Sequence, residues 1–198
     1  SPFSPEDVQI LEDFDCPIYK VASLEITYTQ LLKAIAITGK PVIMSTGGAT
    51  LEEIQYAIET LTAHGTKSLV LLKCSPTYPA QLQDLNLSTI PFLKEKFQVP
   101  VGFSDHTEGS IAASIATGLG SVLIEKHIKL DEDHDSVDSQ FALEVSKLSD
   151  FVEQINAAWE TVGQVKVSPT ESEVETLKYR RSIIAKEDMN RGDIIEFA

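Results

Sequence analysis

The sequence predicts an α/β fold of the (β/α)8 TIM-barrel type, incomplete here, with about five βα units. Three observations carry that prediction. Short apolar runs bounded by breakers recur near residues 18, 42, 69, 100 and 121. Each is followed by a stretch with helical spacing of its apolar residues. No strand–turn–strand hairpin signal interrupts them. Runs that are apolar on both faces read as parallel strands buried between helices, and a repeat of about 22 to 31 residues suits a barrel of roughly 250 residues. With only five units visible, either the sheet is open or the first barrel strands lie upstream of Ser1.

The elements follow in order. Ser4-Pro5-Glu6-Asp7 opens a helix with a capping serine, a proline at its first position and acids in its first turn. That helix directs Val8, Ile10, Leu11 and Phe14 inward and stops before Pro17. Residues 18–23 form a strand. Residues 29–38 form a helix with Leu31, Leu32, Ala34, Ile35 and Ala36 on its apolar face, ended by Gly39. Pro41 to Ser45 is the second strand, broken by Thr46-Gly47-Gly48. Thr50-Leu51-Glu52-Glu53 is a capping box, and Leu51, Ile54, Ala57, Ile58 and Leu61 recur at helical steps behind it. Ser68 to Leu72 is the third strand. A long loop from Tyr78 leads to a short helix around 87–97, then to a fourth strand ending at Phe103. A small-residue helix (110–117) and a fifth strand (121–125) precede the polar loop Asp131-Glu132-Asp133-His134-Asp135. Ser146 caps a last helix carrying Leu148, Phe151, Val152, Ile155, Trp159 and Val162 on one face. Residues 1–163 are thus a partial barrel domain, 164–180 a polar linker, and 181–198 the start of a further domain whose first strand is Arg181-Ser182-Ile183-Ile184-Ala185.

Composition bounds the function. A chain of 198 residues with 42% hydrophobic and 23% charged residues is an ordinary globular protein. A net charge of −14 argues against a nucleic-acid surface, while leaving room for small anions held by a few local lysines. Cys16 and Cys74 make no disulfide framework, which points to a reducing, cytoplasmic setting. No stretch is long enough for a membrane span and no signal peptide opens the chain. A start at Ser1-Pro2-Phe3 without methionine predicts a fragment.

Two histidines organise the chemistry. His106 and His127 follow two successive predicted strands, so they fall on the same rim of the sheet, where α/β proteins build their sites. Neutral imidazole is a good ligand for a divalent metal, and a catalytic site needs only two or three protein ligands. A strand-end histidine also serves as a hydrogen-bonded structural residue, but Asp105, Glu125 and Lys126 crowd charge onto the same rim. His64 and His134 read as surface residues. Lys20, Lys73 and Lys126 each lie in or at the end of a predicted strand; a lysine there needs an anion, either a phosphate or carboxylate ligand or a partner such as Glu25 or Glu125. Ser23, Ser45, Ser75 and Ser104 follow or end strands, and turns such as Ser45-Thr46-Gly47-Gly48 can cradle a phosphate or simply turn the chain. Cys74 reads as a small buried filler.

Five motifs then occur in order: Tyr19-Lys20-Val21-Ala22-Ser23-Leu24-Glu25, Met44-Ser45-Thr46-Gly47, Lys73-Cys74-Ser75-Pro76-Thr77-Tyr78-Pro79-Ala80, Gly102-Phe103-Ser104-Asp105-His106-Thr107 and Ile124-Glu125-Lys126-His127. Together they resemble the sialic acid (nonulosonic acid) synthase family, from Ser1 to about Gly163, and within it most the pseudaminic acid synthase branch. Val137-Asp138-Ser139-Gln140-Phe141-Ala142 departs from that branch's Pro-Asp-Ser-Ala-Phe-Ser at three places. The resemblance implies condensation of phosphoenolpyruvate with an amino-sugar aldehyde, phosphate leaving by C–O cleavage. It implies that His106 and His127 hold Mn2+ or Mg2+, that Lys20, Ser23, Ser45, Lys73, Ser75 and Ser104 bind substrate, and that Glu25 and Asp138 are catalytic. Arg180-Arg181-Ser182-Ile183-Ile184-Ala185, with Asp188, Arg191-Gly192 and Ile194-Ile195, resembles the start of a small antifreeze-like (SAF) domain, which implies a homodimer of the full-length protein. A chain lacking the first two barrel strands and most of that domain is expected not to turn over alone. Other readings are an N-acetylneuraminate or legionaminate synthase, a Schiff-base aldolase using Lys20 or Lys126, and an inactive ligand-binding fragment.

Overall fold

Five parallel strands lie side by side in sequence order: β1 (Tyr19–Val21), β2 (Val42–Ser45), β3 (Leu69–Cys74), β4 (Val101–Asp105) and β5 (Ile124–Lys126). The computed structural model describes residues 1–131, 136–185 and 187–194. Parallel neighbours require a crossover between them. Here α2 (Thr29–Ile37), α3 (Leu51–Ala63), α4 (Thr89–Phe97) and α5 (Ile111–Gly118) supply it, with α1 (Pro5–Asp13) ahead of the sheet and α6 (Leu148–Val162) behind it. Sequential order without reversal is the order of a (β/α)8 barrel, of which this sheet is an arc. Residues 1–163 make up this unit, and residues 164–198 make up a second one.

Register assigns each side chain to a face. Val21, Met44, Leu71 and Val101 form one cross-strand row, with Phe103 and Ile124 in the next. This face packs against Leu31, Leu32, Ile35, Ile54, Leu61, Ile90 and Leu93 of the helices, and all but Ile54 and Leu93 are fully buried. Burial of each such side chain contributes about 1.5–3 kcal/mol. Rows on the other face join Ser45, Leu72 and Gly102, then Cys74, Ser104 and Glu125. Gly102 has no substitute there, because a Cβ would lie 2.6 Å from both the Leu123 carbonyl oxygen and Leu72 Cδ2.

Local signals act as expected at two helix starts. Ser4 Oγ accepts from the Asp7 amide at 3.2 Å and Thr50 Oγ1 from that of Glu53 at 3.2 Å, each acid reaching back to the cap. Several expectations need correction. Ile10 and Phe14 are exposed, since α1 buries Val8 and Phe14 lies past its end. Leu51, in the first turn of α3, is also exposed. The third and fourth strands run two residues further than expected, taking in Lys73-Cys74 and Ser104-Asp105. Ser146 sits in a 3-10 turn before α6 and does not cap it; its hydroxyl bonds Glu144. Of the apolar face of α6, Phe151 is buried where the helix packs on α5, while Val152, Trp159 and Val162 remain exposed. Residues 132–135 of the polar loop, with His134, lie outside the described residues.

Beyond β5 the chain makes a short excursion. β6 (Ile128–Lys129) pairs in parallel with β7 (Leu143–Glu144), and the Leu143 amide bonds the His127 carbonyl at 2.8 Å. This returns residues 136–142 to the rim. In the second unit, α7 (Glu171–Val174) and a 3-10 turn (Glu175–Tyr179) occupy much of the stretch expected as linker. Among the described residues no strand forms over 181–185, where Ile183 and Ile184 are exposed, and Ile195 lies outside the described residues.

Candidate active site

All five strands deliver their carboxyl ends to one rim, and a cavity of about 260 Å3 opens there. Lys20, Ser45, Cys74, Ser104 and Glu125 line it from the face opposite the helices, and Ser23, Tyr78, His106 and His127 line it from the loops beyond. A larger hollow of about 570 Å3 lies within the second unit, but surface side chains such as Lys166, Glu173 and Arg180 line it, without convergent imidazoles.

Lys20 supplies the cavity's side-chain ammonium. Its Nζ donates to Ser45 Oγ at 2.8 Å and to the Val21 carbonyl at 3.3 Å, and lies 3.7 Å from Glu125 Oε1. Ser104 donates to that same carboxylate oxygen at 2.6 Å. Ser23 Oγ accepts from the Gly47 amide at 3.2 Å and lies 2.9 Å from Cys74 Sγ. Close approach explains the glycine: a Cβ on Gly47 would sit 2.6 Å from Cys74 Sγ and 2.9 Å from Ser23 Oγ. Cys74 is buried, as a filler should be, yet it also forms part of the wall.

The histidines are held from behind. His106 Nδ1 lies 2.8 Å from the Ser75 carbonyl oxygen, which can only accept, so Nδ1 carries the proton and Nε2 is left with its lone pair. Nε2 is 3.4 Å from Ser104 Oγ. Burial holds the His106 pKa below the usual imidazole value and keeps the ring neutral. His127 Nδ1 lies 3.1 Å from Asp138 Oδ2, so its Nε2 is likewise the uncommitted nitrogen. The ring centroids are 5.2 Å apart, and Phe141 packs on both at 5.9 and 5.0 Å. Tyr78 stacks on His106 at 4.4 Å.

The expected site residues therefore divide. Lys20, Ser23, Ser45, Ser104, His106 and His127 meet at the cavity, and Asp138 joins them through His127. Lys73 does not: it is in register with Phe103, on the helix-facing side, where its Nζ bonds the Cys74 carbonyl and burial lowers its pKa. Lys126 faces that side too, 2.9 Å from the fully buried Asp105, whose other oxygen accepts from the Thr107 amide and hydroxyl. Three lysines do not converge; one does. Ser75 serves through its carbonyl, while its hydroxyl pairs with Thr77 at 2.8 Å. Glu25 ends a 3-10 turn (Ser23–Glu25) after β1 and does not line the cavity. Sequence reasoning overlooked Tyr78 and Phe141 as site residues; the available signal was an aromatic side chain in each loop of two quoted motifs.

An arc of βα units with an ammonium, hydroxyls and paired imidazoles at its strand ends defines an α/β-barrel site suited to anionic ligands. The chain belongs to the NeuB family, which it matches over residues 1–167. It is 39% identical to a pseudaminic acid synthase of Campylobacter jejuni subsp. jejuni serotype O:2, over 98% of this chain and 57% of that protein. An N,N'-diacetyllegionaminic acid synthase of the same organism is 36% identical, over 98% and 59%. Among solved structures, the N-acetylneuraminic acid (sialic acid) synthetase of Leptospira borgpetersenii serovar Hardjo-bovis in complex with citrate superposes with a TM-score of 0.83 at 33% identity, covering 90% of this chain and 62% of that one. The chain spans a little over half the length of the relatives it matches.

Proposed function

We propose that this chain forms the catalytic rim of a nonulosonic acid synthase that joins phosphoenolpyruvate to the open-chain aldehyde of a diacetamido sugar. The observation that carries this reading is the juxtaposition of the Lys20–Ser45–Ser104 donor set with the His106/His127 pair in one cavity. Relatives named pseudaminic and diacetyllegionaminic acid synthases support the sugar class, and the citrate bound by the Leptospira relative is itself a carboxylate anion.

The chemistry follows from those residues. Lys20 and the hydroxyls of Ser45, Ser104 and Ser23 hold the phosphate and carboxylate of the enol substrate. C3 of phosphoenolpyruvate forms the new bond to the aldehyde carbon, whose oxygen takes a proton. Water adds at C2 and gives up a proton, and the tetrahedral intermediate releases phosphate by C–O cleavage to leave a 2-keto acid. The family resemblance assigns these proton movements to Glu25 and Asp138; Asp138 stands beside His127, whereas Glu25, just past β1, does not line the cavity. Asp138 also orients His127.

The residues fit a divalent metal. Both imidazoles have Nδ1 committed to an acceptor, the arrangement of metal-ligating histidines, and both leave Nε2 uncommitted. Among the described residues no cluster of three or more His, Cys, Asp or Glu side chains forms. The ion would rest on His106 and His127 with open positions, and two nitrogen donors favour manganese over magnesium. When bound, it supplies Lewis-acid polarisation of the aldehyde oxygen.

The test is phosphate release from phosphoenolpyruvate by the intact protein. Release should require a divalent metal and a 6-deoxy-diacetamido hexose, and His106→Ala should abolish it. Equal or better turnover with N-acetylmannosamine would reassign the sugar to the neuraminate class. A borohydride-trapped adduct on Lys20 would replace the synthase reading with a Schiff-base aldolase.

A further inference from the structure

We propose that Glu125 is an internal anion that occupies the substrate's donors until it is displaced by the incoming phosphate or carboxylate. This rests on reading Lys20 and Ser104 as the anion-binding groups. A single oxygen, Glu125 Oε1, takes the Ser104 hydroxyl at 2.6 Å and lies 3.7 Å from Lys20 Nζ. Those two groups point into the cavity from β1 and β4, and Glu125 reaches them from β5 in register with Ser104.

Two other described carboxylates near the rim have different work. Asp105 is buried on the opposite face and saturated by Thr107 and Lys126, and Asp138 lies against His127. Among the described residues Glu125 is the carboxylate that lines the cavity, and its side chain keeps 35% of its exposure, so it has room to leave. Its contact with Lys20 is longer than a direct charge-assisted hydrogen bond of about 2.7–2.9 Å. A more highly charged ligand can take it over.

Two consequences follow. Before substrate arrives, Glu125 holds this ammonium and hydroxyl in place and offsets the charge of Lys20 locally, so that the pair itself offers little net attraction to stray monoanions. A dianionic phosphate gains Lys20 and Ser104 but must overcome repulsion by a carboxylate a few ångströms away. Discrimination between anions thus depends on the ligand's own charge.

Calorimetry on the intact protein, with inorganic phosphate, phosphoenolpyruvate and pyruvate as probes, tests this. Glu125→Gln keeps the side-chain length and the acceptor for Ser104 but removes the charge. Phosphate and phosphoenolpyruvate should bind it about tenfold tighter than wild type, the scale of one like-charge contact in a half-solvated pocket. The singly charged pyruvate should gain less. Glu125→Ala, also neutral, should show the same order if the glutamine variant fails to fold. Wild-type-like or weaker phosphate binding by the neutral variants, with wild type binding normally, overturns the proposal and leaves the synthase reading intact. Absence of phosphate and phosphoenolpyruvate binding in wild type and variants alike overturns the anion-site reading itself.

Discussion

Two lysine–carboxylate pairs cross the same sheet on opposite faces. Lys126 and Asp105 meet at 2.9 Å with side chains 5% and 0% exposed, and Thr107 fills the remaining capacity of the carboxylate. Lys20 and Glu125 stand 3.7 Å apart with side chains 20% and 35% exposed, and each has a serine as its closer neighbour. The first pair is closed and gives its charges nothing else to hold. The second is longer and partly open to solvent. Burial and saturation therefore separate a pair that builds the rim from a pair proposed to bind at it. The building pair has a positional effect as well: Asp105 and Lys126 immediately precede His106 and His127, so their contact fixes the ends of the two strands that carry the imidazoles.

The sharpest way to break this comparison is at the closed pair. Asp105→Asn strands a buried ammonium and should cost about 3–5 kcal/mol in urea unfolding. The double change Asp105→Leu with Lys126→Met should recover most of that loss, and a single-variant cost below about 1 kcal/mol would place both pairs in one class. At the open pair the pattern reverses. Lys20→Met should change stability by less than about 1 kcal/mol yet weaken phosphoenolpyruvate binding about a hundredfold in calorimetry, as loss of a desolvated charge contact does. Destabilisation on the scale of Asp105→Asn would erase the distinction.

A smaller effect is expected next to the open pair. Gly47→Ala sets a methyl against Cys74 Sγ and Ser23 Oγ and displaces the serine hydroxyl from the cavity wall. The KM for phosphoenolpyruvate should rise about tenfold with kcat less affected, the scale of one hydrogen bond to a charged group. An unchanged KM would remove Ser23 from the anion set.

The smallest effect belongs to a third, solvated pair away from the rim. Glu12 accepts from Lys40 at 2.8 Å and from Tyr19 Oη at 2.6 Å, and these bonds, Lys40's foremost, hold its pKa below 4.5. Burial and this same carboxylate push the Tyr19 phenol well above its ordinary range, so it stays a donor. A depressed carboxylate pKa adds stability that is present above the unfolded value of 4.5 and lost as pH falls through the folded one. Glu12→Gln should therefore lower Tm near neutrality, with the gap to wild type closing on acidification. A gap constant with pH would point to lost packing.

The sequence made the five strands of the sheet and the capping boxes at Ser4 and Thr50 legible because each rests on local chemistry: a continuous apolar run, or a hydroxyl and an acid at fixed spacing. It did not reveal which face each lysine takes. Strands buried on both sides lack the apolar–polar alternation that marks a face, and ending the third strand at Leu72 left Lys73 on the rim. Register settles the matter, because Lys73 pairs with Phe103 and Lys126 with Asp105. The contact of Ser75 with His106 was not legible, since a carbonyl leaves no signature in a side-chain pattern. The proximity of His106 and His127 was legible because adjacency of successive strands follows from chain order alone. Asp138 entered through family resemblance; its approach to His127 depends on the β6–β7 excursion, a non-local pairing of two residues on each side.

The two histidines differ in what anchors them, and that difference bears on how such a site can change over generations. His106 leans on a main-chain oxygen, which no substitution at Ser75 can delete. His127 leans on a side chain that a single codon can replace. One imidazole is thus fixed by the path of the polypeptide, while the other is adjustable: variants at Asp138 would alter the basicity of one nitrogen donor and leave its neighbour untouched. If the proposed divalent ion rests on these two nitrogens, a lineage could tune its affinity through that one position without rebuilding the barrel.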